Sequence, residues 1–263
     1  MESRLTRILL GTWVVLVLLF LFVPIAIIVL YAFNASNVQS WPISGFSLKW
    51  FPSTWHNDEV REALWLSIRA GVLATFLAVI FGTAAAFAVH RFRFVGREAL
   101  SFIVVLPIAL PGIITGMALN SFFVFWHIPL SYWTIVIGHT TFCIVIVYNN
   151  VLARLRQVPR SLSEASMDLG ADSWSTFRRV TLPTISTALI AGALLAFALS
   201  FDEVIVTTFT AGAQNTLPLW IFGAIRLGQK LPEVNVIVLV VMAVTFIPVF
   251  LAYRVTQPGS AKS

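Results

Sequence analysis

The sequence predicts an all-α integral membrane protein with six transmembrane helices and both termini on the cytoplasmic side. Three observations predict it. Of the 263 residues, 59% are hydrophobic and 11% charged, and the mean hydropathy of +0.91 lies far from the balance of soluble domains. Six apolar stretches reach the roughly 20 residues that a helix needs to cross a hydrocarbon core of about 30 Å. The arginines and lysines are also lopsided. One set of loops holds Arg4, Arg7, Arg91, Arg93, Arg97, Arg154, Arg156, Arg160, Arg178, Arg179, Arg254 and Lys262, and the other only Lys49, Arg61, Arg226 and Lys230. The whole chain, 1–263, reads as a single transmembrane domain. The net charge of +6 is spread over short loops and forms no basic groove, which argues against nucleic acid.

The first stretch, Ile8–Phe33, follows basic residues but far exceeds the roughly 7–15 residues of a signal core, so it reads as a retained span. The segment 34–63 faces outward; its Trp41, Trp50 and Trp55 suit a headgroup layer. Asp58, Glu59 and Glu62 form an outer acidic cluster, read first as solvated surface and otherwise as a patch that steers a cation or meets another protein. The second stretch is Leu64–Val89, with Arg69 slightly inside its outer end. The third, Ala99–Leu119, contains "LPIALPG", where Pro107 and Pro111 each remove an amide donor. That spacing, with Gly112 following, makes it a candidate moving or pore-lining element. The fourth, Tyr132–Leu152, carries His139 and the single cysteine, Cys143, which reads as a small buried apolar residue. No histidine, cysteine or acid stands at ligand spacing from His139, so no metal site is expected.

The loop 153–183 is polar but patterned. Ser161 or Ser163 can cap a helix, Glu164 suits its first turn, and Gly170 can end it in a left-handed turn. Asp172 or Ser173 can cap a second short helix with Trp174, Phe177 and Val180, before Pro183 marks the next span. Such a pair fits either an anionic membrane surface or a groove of another protein.

The fifth stretch, Thr184–Val204, with a possible continuation to Phe209, carries Asp202 and Glu203. A rise of about 1.5 Å per residue puts Asp202 roughly 27 Å along it, and about 100° separates neighbours around the helix. One acid can therefore line a pathway while the other pairs elsewhere; an interfacial helix end with both acids solvated is the alternative. Arg69 is a candidate counter-charge for either acid, or a side chain snorkelling to the headgroups. Ser200 has no histidine at an arguable distance in sequence, which speaks against an intramembrane enzyme. The sixth stretch, Val234–Tyr253, contains Pro248.

Glu164, Ala165 and Gly170, closed by Leu182-Pro183, resemble the EAA loop of permease subunits in binding-protein-dependent ABC importers, with Ser166 in place of the second alanine. "FALSFDEVIVTTFTAG", "TLPLWIFGAI", "PEVN", "YAFNAS" and "LKWF" extend the resemblance over nearly the whole chain and bring it nearest to the spermidine/putrescine type. In spermidine-type relatives an acid often follows the proline where this chain has Gly112. The resemblance implies the type I importer permease fold in the bacterial inner membrane, with Glu164 to Pro183 coupling to an ATPase. It also implies a homologous permease partner, two ATP-binding subunits that carry ATP and Mg, and an extracytoplasmic substrate-binding protein. The chain itself has no GxxxxGK[ST] phosphate loop, so no cofactor is expected on it. The substrate pathway is expected at Asp202, Glu203 and Arg69. A self-contained ion-coupled carrier, or an importer permease for another small solute, is the competing reading; duplicated halves, which such a carrier typically shows, are not visible.

Overall fold

The computed structural model describes residues 4–159 and 161–256, with side chains through 245. In chain order the helices are α1 (Arg4–Ala32), α2 (Trp50–His56), α3 (Asp58–Arg91), α4 (Arg97–Ala109), α5 (Gly112–Phe125), α6 (Tyr132–Gln157), α7 (Ser161–Asp168), α8 (Ser173–Thr176), α9 (Leu182–Phe201), α10 (Ile205–Thr210), α11 (Leu217–Leu227) and α12 (Leu231–Thr256). Four spans are long and apolar enough to cross a membrane among the described residues: α1, α3, α6 and the run Ser173–Phe201. The bent pair α4 and α5 makes a fifth if it is one span. α12, 26 residues long, covers the sixth predicted stretch. Arg160 and Lys262 lie outside the described residues, as do the side chains of Pro248 and Arg254.

The chain divides into two compact units, one drawn from Met1–Arg61 and Ile221–Ser263, the other from Glu62–Trp220. In the first, α12 packs against α1 and α2. The indole of Trp50 donates to Asn34 O at 2.8 Å, and Glu233 accepts from Ser53 Oγ at 3.0 Å and Asn57 Nδ2 at 2.5 Å. Two acids of the predicted outer cluster are matched within this unit, Asp58 by Arg61 and Glu59 by Lys230 at 2.7 Å. α1 is apolar on every side and exposes nearly its whole length, the surface that lipid or another apolar partner must cover.

In the second unit α6 is the central post. Its face at Ile135, His139, Cys143, Val147, Val151 and Leu155 repeats every four residues and is buried throughout, as one side of a helix must be when neighbours enclose it. α9, α4, α10 and α5 pack around it.

Three expectations are corrected here. The third stretch is not one helix: α4 and α5 meet at 107°. Leu110 is extended, the conformation that a following proline favours. The Pro107 carbonyl, which would have met the missing amide of Pro111, has the Thr115 hydroxyl at 3.5 Å instead. The fifth stretch does not continue unbroken to Phe209, because α9 ends at Phe201 and α10 starts at Ile205. Nor does the second short helix stand apart from the fifth span: α8 runs through a π turn, Phe177–Thr181, into α9. Pro183 has no amide for the Arg179 carbonyl, and widening the preceding turn, so that Leu182 N bonds Phe177 O, accommodates it.

Candidate functional site

The predicted pathway acids lie at the break between α9 and α10. Asp202 caps the C-terminus of α9 in the bridge region, with φ −94° and ψ 0°, and its side chain is exposed. Glu203 is half-buried and turned onto its own backbone, where Oε1 accepts the Val206 amide at 2.8 Å. Thr207 Oγ1 donates to Glu203 O at 2.8 Å, and Thr208 Oγ1 to Val204 O at 2.8 Å. The Glu203 carbonyl thus finds a hydroxyl, while the Val204 carbonyl takes the Thr208 amide at 2.9 Å as well as its hydroxyl. The negative end of the α9 dipole and the Asp202 carboxylate coincide at this point, which favours a cation.

The proline break is its neighbour. A Cβ placed on Gly112, at the start of α5, would lie 3.6 Å from Ile205 Cγ2 at the start of α10. Asn120 Nδ2 donates to Phe209 O at 2.7 Å. A Cβ at Gly116 would come within 2.6 Å of the Phe209 ring, so only glycine allows this approach. Two interrupted helices therefore sit side by side against α6.

His139, 1% exposed, touches both flanks of the acidic break. Its Nδ1 is 2.7 Å from Ser200 Oγ on α9, and its Nε2 is 2.8 Å from Thr207 Oγ1 on α10. A histidine does stand beside Ser200, against the sequence expectation. The two are 61 positions apart, which no spacing argument reaches. The ring is held between the two hydroxyls, one on each helix. Cys143 is fully buried, its thiol donating to Ala196 O at 3.2 Å.

Arg69 does not meet either acid. Its guanidinium lies 5.7 Å from the Trp65 ring centroid and 5.5 Å from that of Tyr132, while the Tyr132 hydroxyl donates to Arg69 O at 3.1 Å.

The polar segment forms a second centre. α7 ends in a Schellman motif: Ala171 N donates to Ser166 O at 3.2 Å and Gly170 N to Met167 O at 2.9 Å. Gly170, with φ +86°, takes the left-handed turn that its position predicts. Asp172 caps α8 by accepting the Ser175 amide at 2.8 Å. Ser166, the departure from the EAA pattern, shares a 3.0 Å hydrogen bond with Thr176 and so ties α7 to α8. Glu164 and Ala165 are exposed, as are Leu162, Met167, Leu169 and Trp174. Apolar side chains uncovered together mark a contact surface. Behind α7 a cavity of ≈ 210 Å³ is lined by Phe87, Leu155, Pro159, Glu164 and Met167 among others. Leu182 and Pro183 open α9 directly after the π turn.

Hydrogen bonds from the Ser175 side chain and backbone hold the Asp172 carboxyl below the usual carboxylate range. A depressed acid stabilises the fold above its unfolded pKa and ceases to do so as pH falls through the folded one. The cap is therefore expected to hold at neutral pH and to open only in acid. Amide exchange at Ser175 checks this: Asp172→Ala should speed it at neutral pH, and Asp172→Asn, which keeps an acceptor, should largely restore it.

Comparison with known proteins places this geometry. Residues 78–260 match the family described as binding-protein-dependent transport system inner membrane component. The putrescine transport system permease protein PotI of Escherichia coli (strain K12) is 35% identical over 254 residues, covering 92% of this chain and 89% of that one. The spermidine/putrescine transport system permease protein PotC of Haemophilus influenzae is 32% identical over 243 residues, covering 92% and 93%. Among solved structures, a bacterial ABC transporter involved in the import of the acidic polysaccharide alginate aligns over 99% of both chains with a TM-score of 0.68 at 19% identity. The MetNI methionine ABC transporter in inward-facing form aligns over 78% of this chain and 96% of its own, with a TM-score of 0.63 at 18% identity. These two show the fold. With a family model over most of its length and relatives above 30% identity across nine-tenths of it, the chain belongs to the binding-protein-dependent transport system inner membrane components, a multi-pass permease family.

Proposed function

We propose that this chain is the permease subunit of an ATP-driven importer that moves polyamine-like cations into the cytoplasm of a bacterium. The observation that carries the reading is the acidic break itself: an exposed carboxylate at the open C-terminal end of a membrane helix, in a chain 35% identical to a putrescine permease. A flexible multiply charged amine leaving water needs carboxylate and helix-end carbonyls in exchange for its hydration. Asp202 is the contact for the cation, and Glu203 chiefly shapes the break.

The exposed apolar peg supports coupling to a separate ATPase through Glu164, Ala165, Ser166, Gly170, Leu182 and Pro183. Two such ATPases, a homologous permease and an extracytoplasmic binding protein complete the expected assembly, and ATP with Mg belongs to the ATPases. The test is uptake by the assembled complex, with putrescine, spermidine and a neutral solute in competition. Putrescine is expected to compete best, and uptake should require ATP. Transport by the isolated chain without ATP would overturn the reading in favour of an ion-coupled carrier.

Arg69 stands outside this pathway, as an aromatic-stacked anchor. Arg69→Gln is expected to leave the KM for putrescine unchanged and to remove a stacking contribution of about 0.5–1 kcal/mol at an exposed site. Uptake kinetics together with thermal stability of the complex check both halves.

A further inference from the structure

We propose that His139 is a positioning residue for cation passage: its imidazole pins the two flanks of the α9–α10 break and so holds the Asp202 and Glu203 carboxylates in place without itself contacting the transported molecule. The proposal rests on the reading of the acidic break as the cation path.

The hydrogen-bond chain has a direction. The hydroxyl of Thr207 has one proton, and at 2.8 Å it is given to the carbonyl of Glu203. Thr207 Oγ1 must then accept from His139 Nε2–H, across 2.8 Å. That leaves Nδ1 as the acceptor for the Ser200 hydroxyl, across 2.7 Å. The path runs Ser200 to His139 to Thr207 and ends on the backbone of one of the two acids.

What lies on either side makes the ring's place mechanical. α10 is already fixed to its surroundings, by Asn120 on Phe209 O and by Thr134 Oγ1, which lies 2.7 Å from Thr210 O. The helical ladder stops at the Asp202 amide, which bonds Ala198 O at 3.1 Å, and resumes at the Val204 carbonyl, which accepts the Thr208 amide at 2.9 Å, so no regular ladder sets α9 against α10 across the break. The Ser200–His139–Thr207 bridge replaces that ladder from outside, anchored on α6, the most enclosed helix of its unit. A residue that only filled space there would leave two buried hydroxyls without this bridge. The ring's contact with Phe142, centroids 5.6 Å apart, is the packing part of its role; the two nitrogens are the part that packing does not need.

The test uses the assembled complex in lipid. His139→Phe keeps the volume and loses both bonds; His139→Asn keeps an acceptor near Nδ1, and His139→Gln a donor near Nε2. The double variant Ser200→Ala/Thr207→Val removes the partners and leaves the histidine, and it carries the test if His139→Phe fails to assemble. Two readouts are needed: KM against Vmax for putrescine, and hydrogen exchange of the amides 202–208 in the absence of substrate. His139→Phe and the double variant should each raise KM about tenfold, within the combined net scale of the two hydrogen bonds lost, and should speed exchange at the break. His139→Asn and His139→Gln should fall between. Combining His139→Phe with the double variant should add little, as residues acting as one unit do. Wild-type exchange and wild-type KM in an assembled His139→Phe or double variant would overturn the proposal. Faster exchange in these variants, with a wild type that takes up no putrescine, would uphold the pin and overturn the substrate reading instead.

Discussion

Asp202→Asn is expected to cut uptake of putrescine by roughly thirty-fold while leaving the complex assembled. The substitution keeps the size and hydrogen-bonding shape of the side chain and removes only its charge. A charge-assisted hydrogen bond is worth about 2 kcal/mol, which converts to that factor. Because the Asp202 side chain is exposed at the helix end and the bond to Ala198 O comes from its backbone amide, the loss should fall on transport alone. Glu203→Gln is the control. Its amide oxygen can still accept the Val206 amide at the place where Oε1 now lies 2.8 Å away, so the break keeps its shape and uptake should fall far less. Equal losses in the two variants would show that net charge at the break, and not one carboxylate, attracts the cation. Radiolabelled uptake with the complex quantified by affinity purification separates these outcomes.

Replacing Gly170 should have the second large effect. At φ +86° an L-residue pays a steric penalty of about 1–2 kcal/mol, and the Schellman bonds from Ala171 and Gly170 depend on that turn. Gly170→Asn should be mild, since asparagine visits the left-handed region, Gly170→Ala intermediate and Gly170→Val severe. The expected readout is graded: the ATPase co-purifies less well in that order, and uptake falls in parallel. Space does not explain such a series, because no atom beyond Gly170 and its chain neighbours lies within 4 Å of a Cβ built there. A flat series would mean that the turn is not what presents the peg.

Local chemistry and long-range geometry were legible to different degrees. The spans could be read because length and apolarity suffice to define a membrane helix. Gly170 and Asp172 could be read because a turn residue and a cap act on atoms a few positions away. The bend after Leu110 was half legible: two prolines signal interruption, but 107° is set by what packs on each side. The break after Phe201 was half legible: Thr184–Val204 stops close to it and a helix end at both acids is one of the two readings, but the restart at Ile205 depends on Glu203 taking the Val206 amide for itself. For Arg69, depth alone allows pairing with an acid or snorkelling to the headgroups, and Trp65, one turn before it, offers an aromatic face that decides its place. His139 and Ser200 could not have been joined, since only the packing of α6 on α9 brings them together.

The wide turn at Phe177–Thr181 stores one surplus residue between the peg and the membrane rod. Ironing it into ordinary α-helix would rotate one relative to the other by about 100° and change their separation by about 1.5 Å. Pro183 requires the wider turn, so the surplus residue fixes how the α7–α8 pair is turned about the axis of the rod.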